Sequence, residues 1–243
     1  MIKKLSAAAF ALVFVSSAFA VTYPGNTASG FGGAVGQGSL ELTDDGTTLS
    51  GTFTKGPGAF NNVLVLYLDT TAGGFADTST LADANDGLRR AISGFDGGTN
   101  RSVLTMPAGF DADFAIALGP LENFGGLWTL AAGGNNSLIF EESANLDPLG
   151  TDSAAVYTFS ISLAEIGIGA GQSFDILGTY ISNSGFRSDE FIAGNGTGTT
   201  GWNPFTGTAA VTYTTVPEPS SFALLAGPAL LGFWFYARRR RAS

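Results

Sequence analysis

The chain has 243 residues, with 11 basic and 20 acidic side chains, no His, no Cys, 35 Gly and 20 Phe. The lack of His and Cys excludes Ser-His-Asp and Cys-His nucleophiles, His/Cys zinc sites, thiolate-ligated iron–sulfur clusters and disulfides. The formal net charge of −9 argues against nucleic-acid binding, which needs basic groups against phosphate.

Residues 1–20 have the three parts of a secretory signal peptide. Two lysines form a positive start, an apolar run follows, and Ala18 and Ala20 supply the small side chains of a cleavage site. The apolar run is too short for an ordinary membrane anchor. We therefore predict a signal helix that is removed after Ala20, so that the mature chain begins at Val21.

Glycine is frequent at the start of the mature chain, but the Gly-Lys-Ser/Thr ending of a phosphate-binding loop is missing there. We predict that residues 21–37 form a flexible N-terminus and that residues 38–215 form one domain. Residues 21–215 keep five of the basic and 19 of the acidic side chains, a net charge of −14. Such a charge keeps an exported domain soluble.

Short apolar runs separated by Gly, Asn and Asp clusters predict many strands. Residues 39–43 and 48–55 alternate polar and apolar side chains around an Asp-Gly turn, which predicts a hairpin. Residues 62–69 are a continuous apolar run, typical of a central strand that is buried on both faces. The other predicted strands are 101–106, 112–118, 127–131, 137–141, 155–163, 173–182 and 208–215.

Residues 80–93 carry apolar side chains at helical spacing, which predicts one helix with Thr80 as its cap. Gly87 weakens this helix by about 1 kcal/mol relative to Ala. Many short strands and one helix predict a mostly β fold, a single antiparallel β-sandwich of jelly-roll-like type with one short helix.

A resemblance covers part of this predicted sandwich. The run 62–69, which ends in Asp69, resembles the central strand of DOMON-like and related carbohydrate-binding sandwiches, and residues 157–177 resemble their later strand–turn–strand. The resemblance implies that the domain binds a sugar, haem or calcium. The His that ligates haem in that group has no counterpart in this sequence.

Acidic side chains on predicted loops supply the oxygen ligands that calcium prefers. Asp69, Asp77 and Asp96 are a candidate metal-binding trio at one end of the sandwich. We predict no cofactor, and a structural calcium ion stays an open alternative.

No pair of carboxylates is marked as catalytic. Glu141 and Glu142 are adjacent, so in a strand they point to opposite faces, and Asp189 and Glu190 are assigned to a loop. We predict that the protein is not an enzyme, and a glycoside hydrolase with two unidentified carboxylates is the alternative.

Trp202 and Phe205 lie in a stretch rich in Gly and Thr, which is predicted to be a loop. An exposed aromatic side chain on a loop can stack on a sugar ring, and we name both as candidate ligand-binding residues. A packing role in the core is the alternative.

The C-terminal segment 216–243 has three parts. A motif made rigid by two prolines comes first, formed by Val216, Pro217, Glu218 and Pro219. Residues 221–237 follow as a predicted transmembrane helix, whose 16 uncharged residues 222–237 would extend about 24 Å against a bilayer core of about 30 Å. A basic cluster that stays on the cytoplasmic side ends the segment, formed by Arg238, Arg239, Arg240 and Arg241.

This order of motif, apolar helix and Arg cluster closely resembles the PEP-CTERM sorting signal. That signal is found on exported proteins of Gram-negative bacteria, many of which make exopolysaccharide or biofilm matrix. The resemblance implies that an exosortase, a membrane transpeptidase-like enzyme, recognises and processes the tail. The expected partners are therefore signal peptidase, exosortase and the inner membrane, the last through residues 221–237 before processing.

We thus expect an exported, exosortase-sorted protein of the cell surface or extracellular matrix, with a structural or polysaccharide-associated role and no nucleic-acid partner. The alternative is a secreted module that binds a small ligand, a metal or a carbohydrate.

Overall fold

A computed structural model describes residues 20–217. The predicted signal helix, transmembrane helix and Arg cluster lie outside these residues. None of the helices within 20–217 is long and apolar enough to span a membrane.

The described residues form 13 strands, one α-helix and two short 3-10 turns, at Pro120–Glu122 and Ala164–Ile166. The helix is α1 (Gly87–Ser93). The strands are β1 (Val21–Pro24), β2 (Ser39–Asp44), β3 (Thr48–Thr54), β4 (Val63–Asp69), β5 (Leu104–Thr105), β6 (Phe114–Gly119), β7 (Phe124–Leu130), β8 (Leu138–Ser143), β9 (Val156–Ser162), β10 (Ser173–Ile181), β11 (Arg187–Ile192), β12 (Gly194–Thr197) and β13 (Phe205–Thr214).

The strands form two sheets. The smaller sheet has the order β1-β2-β3-β9, and the larger one has the order β12-β13-β10-β4-β6-β7-β8, with β11 beside β10 and β5 beside β13. All of these pairs are antiparallel except β5 with β13. The prediction of a mostly β fold with one short helix is confirmed.

Apolar side chains fill two separate layers, one on each face of the larger sheet. Between the two sheets, Leu40 and Phe53 of the smaller sheet pack with Leu66 and Ile176 of the larger one. On the other face, α1 and the long connections around it cover Val65 and its neighbours. Strand β4 is central and buried on both faces, as its continuous apolar run predicts.

The helix begins at Gly87, and the prediction that it starts at Thr80 is wrong. Asp86 is its N-cap, because the Asp86 carboxylate accepts a hydrogen bond from the backbone N–H of Arg89 at 2.8 Å. Asp83 accepts another from the backbone N–H of Asn85. Short acidic side chains compete in this way with helical hydrogen bonds, so the preceding segment stays irregular.

The predicted flexible N-terminus and the loop predicted at Asp189 and Glu190 are wrong as well. Residues 21–37 include strand β1, which pairs with β2 from Val21 to Pro24, so this segment is built into the sandwich. Asp189 and Glu190 lie within β11, which pairs with β10. The glycine-rich residues 194–197 form β12.

Candidate functional site

A groove lined by aromatic side chains lies where β7 and β8 pair at the edge of the larger sheet. Alternation along β7 puts Phe124, Gly126 and Trp128 on one face, and the strand register places Phe140 opposite Trp128. The cavity measures about 360 Å³. This aromatic groove is lined by Asp86, Gly87, Leu88, Arg89, Glu122, Phe124, Trp128 and Phe140.

The three rings of the groove contact one another. The ring centroids of Trp128 and Phe140 are 5.7 Å apart, those of Phe124 and Phe140 are 5.9 Å apart, and those of Phe124 and Trp128 are 6.4 Å apart. Gly126 lies between Phe124 and Trp128 in the sequence. A Cβ atom at this position would approach Trp128 Cη2 to 2.8 Å and Phe124 Cε1 to 3.0 Å. The arrangement therefore requires glycine at position 126.

The rings differ in exposure. Phe124 is 37% exposed and Phe140 is 43% exposed, whereas Trp128 is 2% exposed and forms the floor of the groove. Its indole Nε1 is buried and has no hydrogen-bond partner among residues 20–217. Buried donors without partners are rare and costly, so this N–H is a polar group whose burial the described residues leave uncompensated.

Charged side chains form the rim of the groove. The guanidinium of Arg89 is hydrogen-bonded to Asp86, lies 3.5 Å from the carboxylate of Asp83, and is centred 5.7 Å from the Trp128 ring. Glu122 accepts a hydrogen bond of 2.6 Å from the side-chain amide of Asn183. Two carboxylates, those of Asp86 and Glu122, line the groove with one guanidinium, so the rim has a net negative charge.

The sequence predicts a strand around Trp128 but does not predict the groove. Phe124 and Phe140 are far apart in the sequence, and their meeting depends on the β7–β8 register, which shifts between Leu127 and Trp128. The only sequence signal is the spacing of two aromatic residues four apart, Phe124 and Trp128, with Gly126 between them.

The two aromatic residues predicted to bind a ligand are placed differently. Phe205 is buried in the core at the start of β13, so the ligand-binding prediction for it is wrong. Trp202 is half-buried and packs edge to face against Phe186, with ring centroids 5.7 Å apart. The geometry around Trp202 thus supports packing, the alternative interpretation.

Local hydrogen bonds engage the predicted metal trio. Asp77 accepts from the N–H of Ser79 at 2.7 Å, and Asp96 accepts from the N–H of Gly98 at 2.6 Å. Asp69 accepts from the N–H of Asp111 at 3.0 Å. Residues 20–217 contain no group of three or more His, Cys, Asp or Glu side chains that could hold a metal ion, so the structure does not bring the trio together.

Asp69 has its own acidic surroundings at the end of β4. Partial burial, together with the nearby carboxylates of Asp113, Asp175 and Asp111, raises the pKa of Asp69. The Asp113 carboxylate accepts hydrogen bonds from the N–H groups of Thr70 and Thr71.

The first and last strands of the sandwich lie next in sequence to the predicted processing sites. Ala20 is exposed and Val21 is the first residue of β1, while Ala18 lies outside the described residues. At the other end, β13 stops at Thr214, Val216 is buried and Pro217 is exposed. The remaining residues of the sorting prediction, which are Glu218, Pro219, Arg238, Arg239, Arg240 and Arg241, lie outside the described residues.

Comparison with protein families finds one match, over residues 215–241, to the PEP-CTERM protein-sorting motif. The chain carries a PEP-CTERM sorting signal. This confirms the resemblance seen in the sequence and marks an exported protein that an exosortase recognises at the membrane of a Gram-negative bacterium.

The PEP-CTERM match is confined to the tail. No curated protein and no solved structure matches the chain. The resemblance of the sandwich to DOMON-like domains therefore stays a prediction. For the sandwich, function has to be argued from its own geometry.

Proposed function

We propose that this PEP-CTERM protein is a non-enzymatic component of the cell surface or extracellular matrix, and that its sandwich binds polysaccharide in the aromatic groove. The observation that carries the proposal is the pair of exposed phenylalanine rings, Phe124 and Phe140, which flank a groove whose floor is the buried ring of Trp128.

The rings suit a sugar for an electrostatic reason. An aromatic ring has a negative face, and the C–H bonds on one side of a pyranose present a weakly positive apolar surface. Phe124 and Phe140 offer such faces at the mouth of the groove, and exposed aromatic clusters of this kind mark binding sites. Sugar hydroxyls can donate to the carboxylate of Glu122, which lines the groove.

The charge of the rim favours a neutral or amino sugar over an acidic one. Arg89 is already engaged by Asp83 and Asp86, so it offers little free positive charge to a uronate. A ligand carboxylate near Glu122 would meet a like charge in a partly enclosed site, where repulsion is stronger than in bulk water.

The proposal is tested by titrating the exported protein with neutral, amino and uronic-acid oligosaccharides. Calorimetry gives the affinity, and tryptophan fluorescence reports contact with Trp128. Saturable binding of a neutral or amino sugar with a fluorescence change supports the proposal. Absence of binding across all three classes would contradict it and leave a purely structural matrix role.

A glycoside hydrolase is the second candidate, because Asp86 and Glu122 both line the groove and hydrolysis needs two carboxylates. Asp86, however, is the N-cap of α1 and is paired with Arg89, which fits a structural role. Release of reducing ends from a bound polysaccharide, abolished in Glu122→Gln, would favour the hydrolase over our proposal.

Delivery to the surface or matrix is tested by intact mass and fractionation in the host, with and without Arg238–Arg241. A mature protein that lacks residues 1–20 and the tail, found outside the cell, is the expected result. A full-length tail kept in the inner membrane would contradict this destination.

A further inference from the structure

Asp44, the last residue of β2, holds the C-terminal end of the sandwich. Its buried carboxylate accepts a hydrogen bond from the Tyr213 hydroxyl at 2.7 Å and from the backbone N–H of Val216 at 3.0 and 3.1 Å. Burial and the adjacent carboxylate raise the pKa of Tyr213, so the phenol stays a donor. These contacts join residues that are at least 169 positions apart in the chain.

Thr215, the residue before Val216, is also hydrogen-bonded to the sandwich. Its N–H donates to the carbonyl of Gln172 at 2.9 Å, and its hydroxyl donates to the carbonyl of Gly169 at 2.8 Å. Thr215 is 1% exposed and Val216 is 6% exposed. Both residues are therefore part of the folded sandwich and not part of a linker.

The same two residues also belong to the sorting signal. The PEP-CTERM match begins at Thr215, and Val216 directly precedes Pro217, with no spacer between them. A peptide segment that is bound in extended form makes main-chain hydrogen bonds over several residues. On the N-terminal side of Pro217, those residues would be Thr215 and Val216, which are hydrogen-bonded within the sandwich.

We propose that Asp44 is a positioning residue for sorting. It holds the start of the sorting signal in the sandwich and thereby limits the length of extended chain that the exosortase can bind. Processing then requires residues 215–216 to leave Asp44, and its rate follows the fraction of molecules in which they have done so.

The direct test is Asp44→Ala in the full-length protein in its host, with the processed fraction followed by pulse-chase and intact mass. Loss of the hydrogen bonds to a charged carboxylate should raise the open fraction, and with it the processing rate, by about tenfold. Tyr213→Phe, which removes one of the bonds and keeps the ring, should give a smaller increase.

A second variant keeps Asp44 and the fold intact. Insertion of Gly-Ser-Gly-Ser-Val between Val216 and Pro217 supplies free chain beside the signal, keeps a valine directly before Pro217, and should also speed processing. Combined with Asp44→Ala, the insertion should add little, because both changes remove the same restriction.

Asp175→Ala is the matched control. It removes the hydrogen bond that the Thr212 hydroxyl of β13 donates to the Asp175 carboxylate. This bond does not involve residues 215–216, so its loss should leave the processing rate unchanged. An unchanged or slower rate in both the insertion variant and folded Asp44→Ala would overturn the proposal. Equal acceleration by Asp175→Ala would also overturn it, since general loosening of β13 would then be the cause.

Discussion

The carboxylate of Glu190 accepts a hydrogen bond of 2.6 Å from the backbone N–H of Phe31, across 159 positions of the chain. Gly33 donates to the same oxygen, and Val35 and Gly36 donate to the other at 2.8 and 2.9 Å. Glu190 is fully buried, and this ring of N–H groups replaces the water that its charge would otherwise bind. Glu190 thus binds four N–H groups of the glycine-rich segment.

Glu190→Gln should destabilise the sandwich by about 3 kcal/mol, because the amide nitrogen cannot accept from the N–H groups that face it. Urea unfolding checks this value. The matched control is Asp189→Asn, whose side chain binds only the exposed N–H of Gly30 and should cost far less. Equal losses in the two variants would contradict the special role of Glu190.

Phe140→Ala should weaken sugar binding about tenfold, since it removes an exposed ring from the aromatic groove. Ile139→Ala is the control, because Ile139 is 51% exposed on the other face of the same strand. Calorimetry on the three proteins measures the effect. A larger loss of affinity in Ile139→Ala would contradict the proposal, because the ligand would then bind to the opposite face of β8.

Glu122→Gln should improve the binding of uronic-acid oligosaccharides while it changes neutral-sugar binding little, because it removes a negative charge from the rim. The comparison is made at low and at high salt. Screening by salt should shrink the difference between Glu122→Gln and the unaltered protein if charge is its cause. A difference that persists at high salt would point to shape instead.

Arg187→Met should leave stability unchanged or raise it by about 1 kcal/mol. Arg187 is fully buried, donates to the Thr179 hydroxyl at 2.5 Å, and has no carboxylate partner within residues 20–217. Its Nε and Nη2 lack hydrogen-bond partners in the same described part of the chain, so its desolvation is poorly compensated. Thermal unfolding checks this prediction. A fall of several degrees in the unfolding temperature of Arg187→Met would contradict it.

Alkaline pH should unfold the sandwich. Burial raises the pKa of Tyr67, Tyr180 and Tyr213 above the ordinary value of 10.0, so the folded state binds these protons more tightly than the unfolded chain. The stabilisation is complete below about pH 10 and is lost as pH rises towards the raised pKa values. Phenolate absorbance and circular dichroism should therefore change together. Tyrosine titration near pH 10 in a folded protein would contradict this.

Hydrophobic patterning predicts most of the fold correctly. The hairpin β2–β3, the central strand β4 and the later strands β9 and β10 all have alternating or continuous apolar runs, and they lie close to the predicted positions. Strand β11 was missed because its first four residues are polar. Their burial depends on partners such as the N–H groups around Glu190, which are distant in the chain.

The functional geometry was predictable only where it is local. The sorting signal is contiguous, so its three parts can be read directly from the sequence. The aromatic groove depends on the register of β7 and β8 and on the turn that places Glu122 beside α1. The contact between Asp44 and Val216 likewise depends on the complete sandwich.

The hydroxyl of Tyr23, in the first strand, donates to the carbonyl of Thr212, in the last, at 3.3 Å. A secreted polypeptide emerges from the translocation channel in order from its N-terminus. The contact between β1 and β13 can therefore form only after nearly the whole chain has emerged. The sandwich can close only when β13 arrives, immediately ahead of the sorting signal. Completion of the fold and arrival of the signal at the membrane are thereby synchronised by chain order alone.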